Sequence, residues 1–353
     1  MITHRFLTPT LAFFLLALPA AAAPKAVFIA EGSADSILMV RADTGKTLRR
    51  IKGVEAAHGL SGAPGAPYLV AGSYTETPAE NIVAAAKPEG VSADEHAAHH
   101  KPAVKGIGPA DAGTSIVTVL DAQNGDIVRR IEVPGAVHHT AMSPDGRFAV
   151  ATHPAGDGIS VIDLNSFTAT AYVTTGILPN YAVFAADPTV VYISNTGNGT
   201  ISEVDLTRGI VRRNMIVDGA PEHLTINADA DRLYVADSDG GRVSELALAD
   251  GAILRTFDIG GEIHGIALSE DGTSLMVSGT AEDKIAAVDL ASGEMRVAEL
   301  SPQPYHLTVI PRTGTLFVSS RQDPTVWIID AATLEKRGMI TVQGEGHQMV
   351  ALP

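Results

Sequence analysis

Six histidines recur along this chain at steps close to 42 residues, with a tyrosine at the one vacant position. They are His58, His138, His223, His264, His306 and His347, and Tyr181 fills the gap. Neutral imidazole is the commonest metal ligand in proteins, and Zn2+ takes three or four His, Asp or Glu ligands in tetrahedral geometry. Imidazoles gathered from several repeats would therefore form a metal site. Zinc, copper and nickel all accept such ligands, and the order of affinities alone favours copper.

A second group of candidate ligands lies outside the repeat. Residues 74 to 113 form an insertion of about one repeat length, rich in Ala, Pro, Gly and Glu, and contain the run "EHAAHH". Its candidate ligands are Glu95, His96, His99 and His100, and His139 adds a further imidazole beside His138. Long segments without secondary structure are uncommon in compact domains and are often functional. We expect this insertion to act as a metal-handling lid.

The repeats predict how these side chains are positioned. Each unit, such as "HLTINADADRLYVADSDGGRVSELALADGAILRTFDIG", contains four short apolar or alternating runs separated by turn residues. Four strands in about 42 residues is the spacing of a β-propeller blade. Residues 26 to 53 supply three strands and the C-terminal "HQMVALP" supplies one, so the two ends complete one blade. The sequence predicts an all-β, seven-bladed propeller closed by its terminal strands, which leaves no open sheet edge.

Propeller geometry places the recurring histidines at one mouth of the central channel. The innermost strand of each blade enters from that face, and the loop between the second and third strands returns to it, so the insertion opens beside the histidines. Alternation along a strand predicts that His138 faces the channel and His139 faces away. The channel is expected to be too wide for all six recurring histidines to share one ion. His153, which precedes a proline, is expected to be structural.

Acidic residues next to the recurring histidines add to this interpretation. Glu55, Glu222, Glu262 and Glu345 could serve as further ligands or accept a hydrogen bond from the second ring nitrogen of a ligand histidine. The alternative is that each recurring histidine only bonds neighbouring backbone and was copied by duplication. A structural role of that kind does not explain three histidines within the insertion.

The N-terminal segment indicates export. Residues 1 to 22 carry a single firm charge, an apolar stretch and small residues before Pro24, which is the pattern of a cleaved signal peptide. The domain is then expected to span residues 23 to 353 in the periplasm, without membrane insertion and as a monomer. Removing Arg5 changes the formal charge from −15 to −16, which argues against nucleic acid as a partner. The absence of cysteine excludes thiolate metal sites and disulfides.

The runs "LYVADSDGGRVSELAL", "VYISNTGNGTISEVDL" and "LFVSSRQDPTVWIIDA" resemble the repeats of the YVTN family of bacterial propellers over the whole mature chain. Together with the signal peptide, the recurring histidines and the histidine-containing insertion, they resemble the AztD family of periplasmic zinc metallochaperones. That resemblance implies Zn2+ as cargo, the solute-binding protein of an ABC zinc importer as partner, and no enzymatic activity.

Two other functions remain open at this stage. Related propellers bind haem d1, whose carboxylates would require Arg and Lys at the channel mouth, where this chain offers few basic groups, Arg242 and Arg321 among them. A propeller lactonase or other hydrolase would need a metal held by carboxylate and Asn ligands deep in the channel. The imidazole-rich mouth favours the metallochaperone over both.

Overall fold

The computed structural model describes residues 23–78, 107–109 and 112–352, and it shows seven four-stranded antiparallel sheets arranged as the blades of a propeller. The innermost strands are β4 Ala57–Gly62, β8 Thr140–Met142, β12 Pro179–Phe184, β16 Pro221–Ile226, β20 Ile263–Leu268, β24 Pro304–Ile310 and β28 Gly346–Leu352. The second strands are β1 Ala26–Glu31, β5 Tyr68–Ser73, β9 Phe148–His153, β13 Val190–Asn195, β17 Arg232–Asp237, β21 Ser274–Gly279 and β25 Thr315–Ser320.

Two further strands complete each blade towards the outside. The third strands are β2 Ser36–Arg41, β6 Thr114–Asp121, β10 Gly158–Asp163, β14 Thr200–Asp205, β18 Arg242–Ala247, β22 Lys284–Asp289 and β26 Thr325–Asp330. The outer strands are β3 Thr47–Lys52, β7 Ile127–Pro134, β11 Thr168–Thr174, β15 Ile210–Ile216, β19 Ile253–Asp258, β23 Met295–Glu299 and β27 Lys336–Thr341. Among the described residues, no helix has the length and apolar character that a membrane span requires.

The ring closes as the sequence predicts. Strand β28 pairs with β1, so one sheet has the order β28, β1, β2, β3 and contains both ends of the described chain. The innermost strands of neighbouring blades contact one another in succession, including β28 with β4, which puts them around the central channel. The fold class, the number of blades and the closure by terminal strands are confirmed.

The hydrophobic cores lie between adjacent blades. Val27 and Leu38 of the closing blade, for example, pack with Phe317 and Val326 of the preceding blade, and all four are fully buried. Each blade alternates apolar residues towards both neighbours, so no blade can bury its faces alone. Burial of this kind around the whole ring gives the innermost strands a rigid frame from which the histidines project.

Glycine at one innermost position is required by close packing of neighbouring strands. A Cβ at Gly265 of β20 would lie 2.7 Å from the carbonyl oxygen of Tyr305 and 3.0 Å from the backbone nitrogen of Leu307. We expect Gly265→Ala to lower the free energy of unfolding by about 1–3 kcal/mol, since backbone must move. In Gly338→Ala, the new Cβ meets only Ile328 Cδ1 at 3.8 Å, and stability should stay within about 0.5 kcal/mol. Denaturant unfolding of both variants measures the contrast, and equal effects would contradict it.

Candidate metal centre

The channel mouth is lined by two rings of side chains, one residue apart along the innermost strands. The seven innermost strands can be aligned by one equivalent residue in each, the residue that pairs with the fourth residue of the second strand. These reference residues are Leu60, Thr140, Ala182, Leu224, Ile266, Leu307 and Met349. Two residues before them lies the mouth ring: His58, His138, Asn180, Glu222, His264, Tyr305 and His347. One residue before them lies the inner ring: Gly59, His139, Tyr181, His223, Gly265, His306 and Gln348.

A repeated β-bulge lets both rings face the channel. In β16, Pro221 pairs with Asp237 while Leu224 pairs with Val235, so the innermost strand has one residue more than its partner. Corresponding register shifts occur at the entry of β4, β12, β20, β24 and β28. A bulge interrupts the alternation of side chains. Two consecutive residues at each entry can therefore reach the same cluster.

A bulge just before β8 corrects the prediction for His138 and His139. The His138 backbone nitrogen donates to the Thr152 carbonyl oxygen, and the Thr152 backbone nitrogen donates to the His139 carbonyl oxygen, each at 3.0 Å, so two residues lie opposite one. Alternation predicted that His139 faces away from the channel, but its ring centroid lies 5.2 Å from that of His58, 5.2 Å from His223 and 5.5 Å from His306. His139 is fully buried, whereas His138 is partly exposed. The residue that was expected to point away is the most central imidazole of the group.

All seven histidines of the two rings form one continuous cluster, which we call the histidine cluster: His58, His138, His139, His223, His264, His306 and His347. Neighbouring ring centroids are 4.0 Å apart for His58 and His347 and 4.4 Å apart for His223 and His264. Across the mouth, His58 and His306 are 6.1 Å apart. The rings fill the mouth, so the channel is narrower here than the sequence interpretation supposed.

Hydrogen bonds at the back of three rings fix their tautomers. His58 Nδ1 donates to the His138 carbonyl oxygen at 2.8 Å, and His139 Nδ1 donates to the Asn180 carbonyl oxygen at 3.0 Å. His264 Nδ1 lies 3.0 Å from a Glu222 carboxylate oxygen. With the proton held on Nδ1, the lone pair of each ring is on Nε2, which is the arrangement of a ligand histidine with an outer partner.

Six of the seven rings carry a buried nitrogen with no hydrogen-bond partner among the residues that the structure describes. These atoms are Nδ1 of His138 and His347 and Nε2 of His139, His223, His264 and His306. Buried polar atoms are almost always paired, and an unpaired one costs about 1–3 kcal/mol. A ligand that bonds imidazole nitrogen could supply partners for these atoms.

The histidine cluster is held uncharged at neutral pH. Burial, reinforced by neighbouring imidazoles, keeps the pKa of His58, His139 and His306 well below its ordinary value. Burial lowers the pKa of His138 and of His347 to about 4. The neutral form is the one that donates a lone pair to a metal. No proton therefore has to be displaced before an ion binds near neutral pH.

Two groups of three nitrogens are close enough to share an ion. One consists of His58, His138 and His139, and the other of His139, His223 and His306. Within each group the ligand atoms all lie within 4.8 Å of one another. Nitrogens bound tetrahedrally to zinc at about 2.1 Å lie about 3.4 Å apart, so rotations that bring them closer by about 1 Å would complete either group. These histidines can hold a metal ion.

The acidic residues predicted beside the histidines behave differently from one another. Glu222 bonds His264 as described, and a Glu345 carboxylate oxygen lies 3.7 Å from His347 Nε2. Glu262 faces the Arg321 guanidinium at 3.7 Å, which makes it a partner of arginine rather than of histidine. Glu55 accepts a hydrogen bond from Thr75 Oγ1 at 3.1 Å. Two of the four acids thus contact the histidine cluster.

The segment predicted as an insertion joins β5 to β6 and starts at the mouth. Its first residue, Tyr74, is 53% exposed and stacks on His58 with ring centroids 5.0 Å apart. The centroid of the Tyr74 ring lies 5.6 Å from that of His138. The predicted ligands within the insertion lie outside the described residues: Glu95, His96, His99 and His100. Their role as ligands, and the lid function of the insertion, stay predictions.

His153 has the placement expected of a structural histidine. It ends β9, is buried, and stacks on Tyr172 with ring centroids 5.7 Å apart. Its Nε2 lies 2.8 Å from Ser160 Oγ and its Nδ1 lies 3.1 Å from the Ala136 carbonyl oxygen, so both ring nitrogens are bonded.

Three residues of the site were not singled out from the sequence. Tyr305 stacks on His264 at 4.0 Å, Tyr74 covers the mouth, and Gln348 bonds the hydroxyl of Tyr181 at 3.2 Å. The signal that could have found Tyr305 and Gln348 is the uneven spacing of the repeat. The recurring residues belong partly to the mouth ring and partly to the inner ring, and a change of ring adds or removes one residue from the step. Equivalent positions of one ring are 42 or 41 residues apart after the insertion.

Comparison with known proteins identifies the architecture. The chain resembles a periplasmic gluconolactonase of Pseudomonas aeruginosa, with 15% identity, a TM-score of 0.68, and coverage of 93% of this chain and 99% of that one. A Bacteroides uniformis protein provisionally assigned as a 6-phosphogluconolactonase gives 15% identity, a TM-score of 0.70, and coverage of 93% and 99%. Hydrazine synthase of Kuenenia stuttgartiensis gives 14% identity, a TM-score of 0.66, and coverage of 91% and 100%. At these identities the likeness shows the fold.

Sequence comparisons add no family assignment. No protein-family profile matches the chain, and no curated protein matches it. The prediction that the chain is not an enzyme is contradicted by the structural neighbours, because propellers that share its fold over more than nine-tenths of its length are named as lactonases and a synthase. An imidazole-lined mouth on this fold is therefore no ground for excluding catalysis.

Proposed function

We propose that this protein binds Zn2+ at the histidine cluster and delivers it to the solute-binding protein of an ABC zinc importer, in the manner of the AztD metallochaperones. The observation that carries the proposal is the set of six buried ring nitrogens that lack a partner among the described residues. At about 1–3 kcal/mol each, they would cost about as much as the 5–15 kcal/mol by which a domain is typically stable. A cation bound by His139, His223 and His306 would supply a partner for three of these nitrogens and offset that part of the cost.

The chemistry of the cluster favours zinc as that cation. All ligand atoms in the two groups of three are imidazole nitrogens, and no thiol exists in the chain. Zinc accepts three imidazoles and a fourth ligand in tetrahedral geometry without further demands on the site. Copper binds the same donors tightly, so competition between Zn2+ and Cu2+ decides which ion the protein carries.

The position of the cluster supports delivery rather than permanent storage. His138 is partly exposed, and Glu55, Glu222 and Glu345 surround the same mouth. Negative charge at a mouth raises the local concentration of cations and their rate of entry. An ion held at the end of a channel can be reached by ligands of an acceptor docked on that face. The predicted signal peptide and the resemblance to AztD support a periplasmic acceptor.

A single variant tests binding and delivery together. We expect the protein to bind Zn2+ in competition with a chelator and to pass it to a metal-free periplasmic zinc-binding protein. Asparagine at His58, His138, His139, His223 and His306 together should abolish tight binding while the propeller stays folded, as judged by circular dichroism. Zinc affinity equal to that of the wild type in this variant would refute the proposal.

Hydrolysis is the second candidate. Zinc held by three histidines leaves its fourth position to water, whose pKa falls to about 7 when it is bound in this way, giving a nucleophile at neutral pH. One structural neighbour is named as a gluconolactonase, and another is provisionally assigned as a 6-phosphogluconolactonase. Gluconolactone hydrolysis by zinc-loaded protein, compared with metal-free protein and with the five-asparagine variant, tests it. A zinc-dependent rate that the variant lacks would assign hydrolysis to the same site.

A further inference from the structure

We propose that the histidine cluster offers one ion two overlapping positions that share His139, and that the ion passes from the inner position to the outer one before it leaves. This inference rests on the proposed function. The outer position is formed by His58, His138 and His139, and the inner position by His139, His223 and His306. His139 is the one residue that belongs to both.

The bonding of His139 makes the two positions mutually exclusive. Its Nδ1 donates to the Asn180 carbonyl oxygen at 3.0 Å, so only Nε2 has a lone pair to offer, and Nε2 has no partner among the described residues. One imidazole lone pair serves one metal ion. When an ion has all three ligands of one position, the other position retains two. A single ion can change position by keeping His139 while it exchanges the other two ligands.

The two positions differ in access to solvent. The inner histidines are buried, with His139 at 0%, His306 at 2% and His223 at 4% exposure. The outer position includes the partly exposed His138, and Tyr74, 53% exposed, stacks on its His58. Burial of all three ligands favours slow release from the inner position. An exposed ligand favours attack by an acceptor at the outer one.

Gln348 of the inner ring bonds the innermost strands of three other blades. Its Oε1 accepts from the backbone nitrogen of Leu60 at 2.8 Å, and its Nε2 donates to the carbonyl oxygen of Thr140 and the hydroxyl of Tyr181, each at 3.2 Å. These contacts tie the innermost strands of three blades to β28 at the level that follows the inner ring. We take the exit route to lead past His58 and His138, because His138 is the partly exposed ligand of the two positions.

Separate removal of one ligand from each position tests the proposal. In His306→Asn the ion is left with the outer position, and zinc affinity should fall about tenfold or more while release accelerates by at least that factor. In His58→Asn the ion is left with the inner position, and affinity should stay within about threefold while release slows by about tenfold, since the intermediate ligand set is lost. His223→Asn, which affects the same position as His306→Asn, should reproduce that variant.

The measurements are zinc affinity by chelator competition and the rate of release to excess chelator, with X-ray absorption to count imidazole ligands. Opposite changes of release rate in His58→Asn and His306→Asn, with three imidazoles in the wild type, support the two positions. Changes of the same direction and size in both variants would overturn them and leave a single site, with the proposed function intact. A wild-type protein that binds no zinc would overturn the proposed function itself.

Discussion

Replacing His139 by asparagine should lower zinc affinity at least about a thousandfold, the largest effect of any single substitution in the protein. Both groups of three histidines within the described part of the chain use His139, so its removal leaves a pair of imidazoles in each. A thousandfold loss corresponds to about 4 kcal/mol of binding free energy. The variant should still fold, because the ring lies in the channel mouth and outside the hydrophobic cores between blades. Chelator competition measures the affinity.

His153→Asn is the matched control for this result. His153 is also a buried histidine of the same blade, but both of its ring nitrogens bond protein atoms and neither faces the histidine cluster. We expect this variant to lose some stability because the hydrogen bonds of the ring are removed. Its zinc affinity should stay within about threefold of that of the wild type. If His139→Asn also stays within that range, the histidine cluster is not the zinc site.

The metal-free protein should become steeply less stable as the pH falls from about 6.5 towards 4. Burial lowers the pKa of His138 and of His347 to about 4 and holds the pKa of His139, His223 and His306 well below the ordinary value of 6.5. The unfolded chain therefore takes up protons in this range before the folded one does. Stability that is complete above the unfolded pKa is lost as pH falls, by up to about 1.4 kcal/mol per pH unit for each such histidine.

Denaturant unfolding at several pH values measures this slope. Asparagine at His223 and His306 should reduce the slope, because two of the groups that protonate on unfolding are gone. Saturating Zn2+ should raise stability near neutral pH, since an ion that binds only the folded state stabilises it. A stability that does not change between pH 7 and 5 in the metal-free protein would show that the imidazoles are already solvated or charged.

Much of this fold can be predicted from the sequence because the evidence is periodic. Strand runs and turn residues recur in each of the seven blades, and each copy reinforces the same register. The two complementary termini complete one blade. The regular spacing of the recurring residues from His58 through Tyr181 to His347 also predicts where the site lies, because corresponding positions of successive repeats are placed at the same end of the channel. The seven blades and the pairing of β28 with β1 follow from these features alone.

The inner arrangement of the site could not be predicted in the same way. The orientation of His139 depends on the bulge opposite Thr152, which a simple alternation of side chains does not contain. The width of the mouth depends on rings such as Tyr305 and Tyr74, which fill it from neighbouring positions. Which nitrogens lack partners depends on backbone carbonyls supplied by the next blade, as for His139 and Asn180. Contacts of this kind exist only once the ring is closed.

The most direct test of the account is the metal content and the ligand set of the protein purified from its native host. We expect one zinc ion per chain, with an X-ray absorption spectrum dominated by three imidazole nitrogens at about 2.0–2.1 Å. The same measurement on His139→Asn should show no tightly bound zinc. A wild-type protein that holds no zinc, or holds it through oxygen ligands alone, would contradict the assignment of the histidine cluster as its metal centre.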